Sequence, residues 1–468
     1  MSQLGDYFFC GVGGSGMTPL ALIIQARGGL VEGSDRALDQ GRNAERFDFL
    51  RARGVLLHPQ DGSGVIRASQ ILVTSAAVEE TVPDVQAARR IGAAVTTRAR
   101  LLAELFNSAA LSVGVAGTSG KSTTVGMLGW ILHRAGKSPT VMNGADMKNF
   151  VDVGSPFASA RIGQGEVFVS EVDESDGSIT LFEPRVAVVN NISLDHKSLD
   201  ELRTLFHGFI AQAKTVVLNL DNAETAALLV GLKPGQAITY SLKSAEAHLI
   251  ASPPVQSPAG TVFQVKARET GEAVEVSLKV PGLHNVANAL AAMSAAKACG
   301  VPLAAAAAHL GDFSGIRRRL EVVGTANEIT VVDDFAHNPD KISATLETLH
   351  AFPGRLLLMF QPHGYGPIRL MKDALVGCFA RGLRDEDVLV MPEPVYFGGT
   401  VNRSVGSGDI VCEIQRSGRK AFAFPDRGAC GDMLVRLARR GDRIVVMGAR
   451  DDSLSQFADE LLRRLAGR

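Results

Sequence analysis

The sequence lacks the cysteine spacing that a disulfide framework or a zinc site needs. Its five cysteines are scattered along 468 residues and form no CxxC pair. Closely spaced pairs are typical of zinc ligands, and dense disulfides are typical of small secreted proteins. We therefore expect neither a disulfide framework nor a zinc site. We expect the protein to reside in a reducing compartment, the cytoplasm. The cysteines are Cys10, Cys299, Cys378, Cys412 and Cys430.

Long apolar runs and an excess of charge of one sign are also missing. No run of about 18 apolar residues occurs, and the first residues show no basic region followed by an apolar stretch. We expect neither a membrane-spanning helix nor a secretion signal. The 48 basic and 49 acidic residues nearly cancel, so there is no electrostatic footprint for nucleic acid or an anionic membrane. Any phosphate must therefore be bound by local groups.

The sequence does have the length and apolar content for several hydrophobic cores. With 468 residues, 46% of them hydrophobic, it exceeds what one core supports, and about three domains are expected. We predict an α/β protein with a Rossmann-like domain at residues 1–107, a central domain with a mainly parallel sheet at 108–316, and a second Rossmann-like domain at 317–468.

Short apolar runs alternate with helical patterns in each range, which is typical of parallel sheets with crossover helices. The first range has predicted strands at residues 7–12, 30–32 and 70–74, with a helix from about 17. The second has strands at 111–116, 167–170, 186–189 and 215–218, a β-like insert at about 236–280 and a helix at 287–299. The third has strands at 329–332, 356–360, 388–391 and 443–447.

The segment GTSGKSTT, from Gly117 to Thr124, carries the strongest chemical signal. It lies between a predicted strand and a helix predicted from about Ser122, so backbone N–H groups and a helix N-terminus would face a bound phosphate. Lys121 would neutralise the β- and γ-phosphates, and the Ser122 hydroxyl would bind Mg²⁺. The commonest form of this loop has its first glycine at the position of Val115. A surface turn is the alternative, which the strand–loop–helix context disfavours.

An acidic segment, SEVDESD at residues 170–176, follows the next strand. Carboxylates at a strand end beside a phosphate loop suit Mg²⁺, which prefers hard oxygen ligands. A solvated acidic loop is the plainer alternative. Asp195 and His196 follow a further strand, and together the three strand ends favour a metal–nucleotide site.

A second glycine motif stands near the start of the chain. Gly11, Gly13 and Gly16 have the spacing GxGxxG, and Asp35 follows about 20 residues on. By itself this pattern predicts dinucleotide binding and favours NAD. An NAD-dependent oxidoreductase is therefore an alternative, but it leaves the central phosphate loop unexplained.

Taken in order, the motifs resemble the Mur ligases, most closely the branch that joins L-alanine to UDP-N-acetylmuramate and its murein-peptide recycling relatives. The resemblance spans nearly the whole chain. Besides the two glycine loops and SEVDESD, it rests on GSD at 33–35, TSAAV at 74–78, DH at 195–196, PGLHNVAN at 281–288, RRR at 317–319, DDFAHNP at 333–339 and QPH at 361–363.

The resemblance implies a site for ATP and two Mg²⁺ ions in the central domain. Ser122 and Glu171 would bind one Mg²⁺ and His196 the second. Asn285 and Asn288, about one helical turn apart, would contact adenine. The nucleotide phosphates would be held by Gly117, Thr118, Gly120, Lys121, Ser122 and Thr123.

The resemblance also assigns residues of the third domain. Arg318 or Arg319 would reach the γ-phosphate. Asp334 would contact the ribose or act at a hinge. His337 would lie near the incoming amine or acyl phosphate.

In a Mur-like chain the first glycine loop would hold the diphosphate of a UDP-sugar instead of NAD. The implied substrate-binding residues are Gly13, Ser15, Gly16, Ser34, Asp35, Ser75, His363 and Arg369. Ser34 and Asp35 would lie on the uridine side. For Ser75 a small-residue turn that packs on the sheet is the alternative.

The implied chemistry begins with attack of a substrate carboxylate on the γ-phosphate of ATP, which gives an acyl phosphate that an amine displaces. Cations offset the repulsion between carboxylate and triphosphate, and His337 is a reasonable base for the amine. Many sister enzymes use a carbamylated lysine after the metal-binding histidine. No lysine occurs between Lys197 and Lys214, which suits the alanine-adding branch.

The sequence departs from this branch at four positions. Ser119 and Asn338 stand where alanine-adding enzymes usually have histidine, and neither change removes a metal ligand. Gly364 and Pro367 stand where arginines help to hold the amino-acid carboxylate. Neither can replace bidentate recognition of an anion. Arg369 and Arg403 could supply a relocated clamp, and plain surface arginines are the alternative.

We therefore expect an ATP-dependent ligase, a monomer or homodimer, that joins an amino acid or short peptide to UDP-N-acetylmuramate in peptidoglycan precursor synthesis. Three alternatives stay open: a recycling ligase that uses a tri- or tetrapeptide, a ligase with a non-standard acceptor outside the main pathway, and a non-catalytic Mur-like binding protein. The intact Lys121, Ser122, Glu171 and His196 argue against the last.

Overall fold

The computed structural model describes residues 5–75, 78–152, 154–193, 197–257, 260–395, 403–449, 451 and 453–467. The chain forms two compact units. The first comprises Met1–Val255, Val262–Lys279 and Asn285–Ser314, and the second comprises Gln256–Thr261, Val280–His284 and Gly315–Arg468. In the described part of the chain, no helix is long and apolar enough to cross a membrane.

The first sheet is entirely parallel, with strand order β3-β2-β1-β4-β5. Its strands are β1 (Asp6–Cys10), β2 (Leu30–Ser34), β3 (Leu56–His58), β4 (Gln70–Thr74) and β5 (Ala94–Thr97), and its helices are α1 (Met17–Ala26), α2 (Arg36–Asp39), α3 (Ala44–Ala52), α4 (Pro83–Ile91) and α5 (Arg98–Asn107). The strand order reverses between β1 and β4. In parallel sheets such a reversal opens a ligand-binding crevice at the carboxyl ends of the strands.

The second sheet has the order β14-β15-β13-β12-β11-β10-β6-β9-β7-β8, and a further strand, β16, pairs with β15. Its strands are β6 (Leu111–Ala116), β7 (Thr140–Met142), β8 (Ala160–Arg161), β9 (Val167–Glu171), β10 (Val186–Val189), β11 (Thr215–Asn219), β12 (Ala237–Ser241), β13 (Leu249–Ala251), β14 (Val255–Ser257), β15 (Gly260–Ala267) and β16 (Ala273–Leu278). Its helices are α6 (Lys121–Arg134), α7 (Leu199–Ala211), α8 (Ala223–Ala227), α9 (Leu283–Ala298) and α10 (Leu303–Leu310), with 3₁₀ turns at Lys148–Phe150 and Ser178–Leu181.

In the middle of this sheet β6 lies between β10 and β9, and all three strands are parallel. Their carboxyl ends therefore meet at one edge. The phosphate loop follows β6, Glu171 ends β9, and Asn190 follows β10. The fold thus gathers the predicted nucleotide-binding groups.

The two sheets of the first unit share one continuous apolar core. Phe106 of α5 shows how they join, because its ring lies 5.8 Å from that of Phe168 on β9 and 5.3 Å from that of Phe182, centroid to centroid. All three rings are buried. Burial of such rings stabilises a domain strongly.

The third sheet, in the second unit, has the order β17-β18-β22-β19-β20-β21 and is parallel except for the antiparallel edge strand β17. Its strands are β17 (Glu321–Ala326), β18 (Ile329–Asp334), β19 (Leu356–Gln361), β20 (Val388–Pro392), β21 (Lys420–Phe424) and β22 (Arg443–Gly448). Its helices are α11 (Pro339–His350), α12 (Tyr365–Leu370), α13 (Lys372–Gly382), α14 (Ser407–Arg416), α15 (Arg427–Leu437) and α16 (Ser453–Ala466).

The α/β architecture and the predicted strands are confirmed. Those at 70–74, 111–116 and 186–189 have the predicted bounds, and most others begin where predicted and run one or two residues further. The first strand ends at Cys10 because Gly11 turns the chain with a backbone φ of 86°. The helix predicted at 287–299 begins earlier, at Leu283.

Candidate active site

The phosphate loop joins β6 to α6 through two glycines that no other residue could replace without strain. The backbone φ angle is 134° at Gly117 and 78° at Gly120. A Cβ atom on Gly117 would lie 3.0 Å from the carbonyl oxygen of Asn191, and one on Gly120 would collide with the Asn288 carboxamide. Both the backbone conformation and the packing therefore require glycine.

Asn191, which follows β10, holds the loop from the neighbouring strand. Its carboxamide oxygen accepts the Thr118 hydroxyl at 2.8 Å and the Ser119 backbone N–H at 2.9 Å. Its carbonyl oxygen accepts the Thr118 N–H at 3.1 Å. Because these bonds are internal to the protein, the loop has its shape before a ligand binds.

Lys121 begins α6 and is surrounded by acceptors. Its Nζ donates to the Gly117 carbonyl oxygen at 2.8 Å and to Glu174 Oε2 at 2.9 Å, and a carboxylate oxygen of Asp173 lies 4.0 Å away. Burial lowers the pKa of Lys121, but the nearby carboxylates, Glu174 foremost, outweigh burial and hold it above its usual value. Lys121 is therefore cationic and paired with Glu174.

Ser122 and Glu171 form a pair of hard oxygen ligands. The Ser122 hydroxyl donates to Glu171 Oε2 at 2.8 Å, and the Gly144 backbone N–H donates to the same oxygen at 3.0 Å. In nucleotide sites Mg²⁺ takes one or two protein carboxylates together with phosphate oxygens. The pair therefore fits Mg²⁺. The described residues contain no group of three or more His, Cys, Asp and Glu that could hold a metal, and Asp195 and His196 lie outside those residues.

The two asparagines predicted to contact adenine lie behind the phosphate loop. Asn288 Nδ2 donates to Asn285 Oδ1 at 3.2 Å, and Asn288 Oδ1 accepts the Thr124 hydroxyl at 3.3 Å. The Thr124 hydroxyl in turn accepts from Asn190 Nδ2 at 3.0 Å. Thus α9 brings both amides to the start of α6, within the same compact unit.

The first glycine loop is braced by Asp35. One carboxylate oxygen accepts the Gly13 backbone N–H at 2.9 Å, and the other caps α2 by accepting the Ala37 N–H at 2.8 Å. A Cβ atom on Gly13 would lie 2.8 Å from the Phe47 ring. The acid that would bind ribose in an NAD site thus holds the loop instead.

Ser34 is the last residue of β2, and Ser75 follows β4; these strands lie on either side of β1. The Ser34 side chain is buried and donates to Asp84, while its carbonyl oxygen accepts the Gly11 N–H at 2.8 Å. The Ser34 side chain therefore has a structural partner, and its backbone holds the glycine loop. Ser75 forms a turn in which its carbonyl oxygen accepts the Val78 N–H at 3.0 Å.

In the second unit, His337 is held in one tautomer. Its Nδ1 lies 2.8 Å from the Phe335 carbonyl oxygen, which can only accept, so Nδ1 carries the proton and Nε2 has the lone pair. Burial, assisted by the charge of Lys341, lowers the pKa of His337 to about 3. The ring contacts that of His363 edge-on, with centroids 5.4 Å apart. His337 is therefore a neutral imidazole that can accept a hydrogen bond at Nε2 but is a weak base in this conformation, contrary to the role predicted for it.

Arg318 has several partners within the second unit. Its guanidinium donates to the carbonyl oxygens of Gly448 at 2.8 Å and Asp451 at 3.2 Å, and lies 3.4 Å from the Asp333 carboxylate. These contacts anchor the segment after β22 on the sheet. In this conformation Arg318, which was predicted to contact the γ-phosphate, stabilises the second unit through internal contacts.

Asp334 is likewise engaged, because it accepts the Leu320 N–H at 3.1 Å and the Thr345 hydroxyl. The Arg319 guanidinium stacks on the Phe335 ring, 4.4 Å from its centroid. Stacking leaves the edge of a guanidinium able to meet an anion. The Arg319 guanidinium also donates to the Arg318 carbonyl oxygen at 3.0 Å, so both arginines have partners within the second unit.

The proposed carboxylate clamp lies around α12. Gly364 precedes this helix with a backbone φ of 140°, and Arg369 is exposed near the end of the helix. The Arg403 guanidinium lies 5.5 Å from the centroid of the Tyr365 ring. The fold thus brings Arg403 to the start of the helix that carries Arg369.

Comparisons with known proteins cover this chain almost completely. Models of a Mur ligase family catalytic domain, a Mur ligase middle domain and a Mur ligase glutamate ligase domain match residues 6–109, 115–296 and 318–450. A UDP-N-acetylmuramate–L-alanine ligase of Gloeobacter violaceus is 35% identical over 97% of this chain and 95% of its own. The chain belongs to the Mur ligase family.

Other Mur ligases give the same assignment. The UDP-N-acetylmuramate–L-alanine ligase of Pelotomaculum thermopropionicum is 33% identical over 99% of this chain and 98% of its own. The solved structure of the UDP-N-acetylmuramate–alanine ligase of Thermotoga maritima is 25% identical, with a TM-score of 0.79 over 99% of both chains. A murein peptide ligase of Psychrobacter arcticus is 25% identical, with a TM-score of 0.71 over 99% of both chains.

Sequence reasoning missed two groups that shape the nucleotide site of this Mur ligase. Glu174 was part of the predicted acidic segment, but only the folded loop shows that this carboxylate is the one paired with Lys121. Asn191 follows the strand predicted at 186–189, and its hydrogen bond with Thr118 depends on the pairing of β10 with β6. The position after a central strand was the available signal for both.

Proposed function

We propose that this Mur ligase uses ATP and Mg²⁺ to join the carboxylate of UDP-N-acetylmuramate to an amino acid, in peptidoglycan precursor synthesis. The observation that carries the proposal is the cluster at the start of α6. Cationic Lys121 and the oxygen pair of Ser122 and Glu171 meet at the end of a glycine loop. The relatives named as UDP-N-acetylmuramate–L-alanine ligases support the choice of substrates.

The proposed reaction has two balanced steps. A carboxylate oxygen of the sugar nucleotide attacks the γ-phosphorus of ATP, and the bond to the β,γ-bridging oxygen breaks, which gives an acyl phosphate and ADP. The amine nitrogen of the acceptor then attacks the acyl carbon, loses a proton, and displaces inorganic phosphate. The product is an amide.

The described residues supply charge and orientation for these steps. Lys121 would leave Glu174 to meet the phosphates, which offsets their repulsion of the attacking carboxylate. Mg²⁺ held by Ser122 and Glu171, with His196 as ligand of a second ion, would add Lewis-acid stabilisation. His337, neutral with the lone pair on Nε2, would accept a hydrogen bond from the amine and orient it for attack, because its lowered pKa makes it too weak a base for the predicted proton transfer in this conformation.

The predicted domains divide this work. Residues 1–107 would bind the nucleotide sugar, residues 108–316 ATP, and residues 317–468 the acceptor. Asn285 and Asn288 would contact adenine, and Arg318 or Arg319 the γ-phosphate.

A peptide acceptor is the second candidate. Gly364 and Pro367 leave the start of α12 without a basic side chain, and Arg403 reaches that point by stacking on Tyr365. A single guanidinium would bind a carboxylate without fixing its distance from the amine as tightly as a bidentate pair of arginines would. The murein peptide ligase of similar fold supports this candidate.

The test is release of ADP from ATP with UDP-N-acetylmuramate and a panel of L-alanine, glycine, L-serine, a tripeptide and a tetrapeptide. We expect release that requires both the sugar nucleotide and one acceptor class. Lys121→Ala should lower it at least about 100-fold, while Lys137→Ala, an exposed lysine beyond the same helix, should not. Absence of acceptor-dependent release with every acceptor would refute the ligase assignment. Release with the peptides alone would select the second candidate.

A further inference from the structure

Arg98 follows β5 at the ligand-binding edge of the first sheet. Strand β5 pairs with β4, and β4 pairs with β1, so Arg98 lies across β4 from the glycine loop that follows β1. All these strands are parallel, and their carboxyl ends face the same crevice. Arg98 thus starts α5 beside the point where the strand order reverses.

The side chain of Arg98 crosses the crevice to the start of α1. Its Cδ, Nε and Nη1 atoms lie 3.1, 3.3 and 3.4 Å from the position that a Cβ atom on Gly16 would occupy. Gly16 has a backbone φ of −94°, which any residue can adopt. A Cβ atom on Gly16 would therefore crowd Arg98, which lies at a helix N-terminus where an anion is favoured.

The guanidinium of Arg98 has no hydrogen bond or ion pair to any residue that the structure describes, although the side chain is half-buried. Arg46, which also contacts the glycine loop, differs from Arg98 because its guanidinium has protein partners. Its Nη1 donates to the Gly13 carbonyl oxygen at 2.8 Å, and its guanidinium stacks on Phe157 at 5.0 Å from the ring centroid. Half-buried guanidinium donors without protein partners are costly unless a ligand accepts them.

We propose that Arg98 binds the diphosphate of the nucleotide sugar at the N-terminus of α1, as a second anchor beside the backbone of the glycine loop. The proposal rests on the proposed function for the identity of the substrate. The planar fork of the guanidinium would donate hydrogen bonds to two phosphate oxygens, and Gly16 leaves space for that approach. Arg98 is then a substrate-positioning residue that a motif search for glycines does not find.

The test is calorimetric titration of the full chain with UDP, UDP-N-acetylmuramate and ATP, each alone. We expect Arg98→Gln to raise the Kd of UDP and of UDP-N-acetylmuramate by the same factor, about tenfold to 100-fold, and to leave the Kd of ATP unchanged. Arg98→Lys should lose less, because it keeps the charge without the fork. Arg100→Gln, an exposed arginine of the same helix, is the matched control.

Four outcomes would overturn the proposal. Equal affinities in Arg98→Gln and Arg100→Gln would remove Arg98 from the site while leaving the ligase assignment intact. A loss for UDP-N-acetylmuramate without a loss for UDP would place Arg98 at another part of the substrate. An equal loss for ATP would assign the effect to the fold. A wild-type chain that binds neither uridine nucleotide would refute the proposed function as well.

Discussion

Lys121 is cationic, and its ammonium group already forms an ion pair with the Glu174 carboxylate. Its Nζ pairs with Glu174 at 2.9 Å, and both side chains are largely buried. A triphosphate must therefore displace a carboxylate before it can use this lysine. Since buried charges are costly when unpaired, we infer that Glu174 stabilises the loop until the nucleotide arrives.

Replacement of Glu174 by glutamine should tighten ATP binding in the absence of Mg²⁺. The variant keeps the shape of the side chain and removes the charge that competes with the phosphates for Lys121. We expect the Kd of ATP, measured by calorimetry, to fall about fivefold to tenfold, which corresponds to about 1–1.4 kcal/mol.

The matched control is Asp173→Asn, because Asp173 is half-exposed and lies 4.0 Å from Nζ. It should change the Kd less. Weaker ATP binding by a folded Glu174→Gln variant would contradict the role given to this residue.

His337 should make folding stability depend on pH in a predictable direction. Burial lowers its pKa from 6.5 to about 3, so below pH 6.5 the unfolded chain binds a proton that the folded chain does not. The contribution of His337 to the free energy of unfolding is therefore complete above pH 6.5 and is lost as the pH falls towards 3. At pH 5 the loss is 1.5 pKa units, or about 2 kcal/mol.

Urea unfolding of the wild type and of His337→Gln at pH 7 and pH 5 measures this loss. Glutamine can still donate to the Phe335 carbonyl oxygen. We expect the free energy of unfolding to fall between the two pH values by about 2 kcal/mol more in the wild type than in the variant. Parallel changes would show that His337 titrates at its usual pH.

At the scale of elements, buried strands were predictable and edge strands were not. The strands at 111–116 and 186–189 are almost completely buried, so their sequences, LSVGVA and VAVV, are mostly apolar. Strands β5 and β21 lie at sheet edges and are largely exposed, so burial constrains their sequences less. Strand β17 pairs antiparallel through a bulge between Val322 and Gly324, which disturbs the alternation of its side chains.

The candidate site also contains features that were predictable from the sequence and features that were not. The phosphate loop was predictable because glycines, lysine and serine are local in sequence and their spacing has a physical reason. The Glu174 pair and the Arg98 contact were not, because each joins segments more than 50 residues apart through strand order. The predicted roles of Ser122 and Glu171 stay predictions, although the two side chains meet.

Asp35 links two elements, so its replacement should destabilise the first sheet. Asp35→Ala removes the cap of α2 and leaves the Gly13 N–H without its acceptor. We expect a loss of about 1–2 kcal/mol in the free energy of unfolding, measured with urea. Asp35→Asn keeps one acceptor oxygen and should lose less. If both variants were as stable as the wild type, Asp35 would be free for a ligand, and the NAD-like interpretation of this loop would regain support.

At the scale of the whole molecule, the proposed ligation uses groups from both compact units. The first contains the phosphate loop, Glu171 and the α9 asparagines, and the second contains His337, His363 and Arg319. The family assignment covers both, since matched relatives align with nearly the full length of the chain. The proposed acceptor site lies in the second unit, where Gly364 and Pro367 set this chain apart from the branch it resembles.

The central claim is that the substrate carboxylate becomes an acyl phosphate. It is tested most directly with UDP-N-acetylmuramate labelled with ¹⁸O in its carboxylate, incubated with ATP, Mg²⁺ and the active acceptor. The account predicts one ¹⁸O atom in each inorganic phosphate released, with ADP as the nucleotide product. Unlabelled phosphate, or label found in AMP, would contradict it.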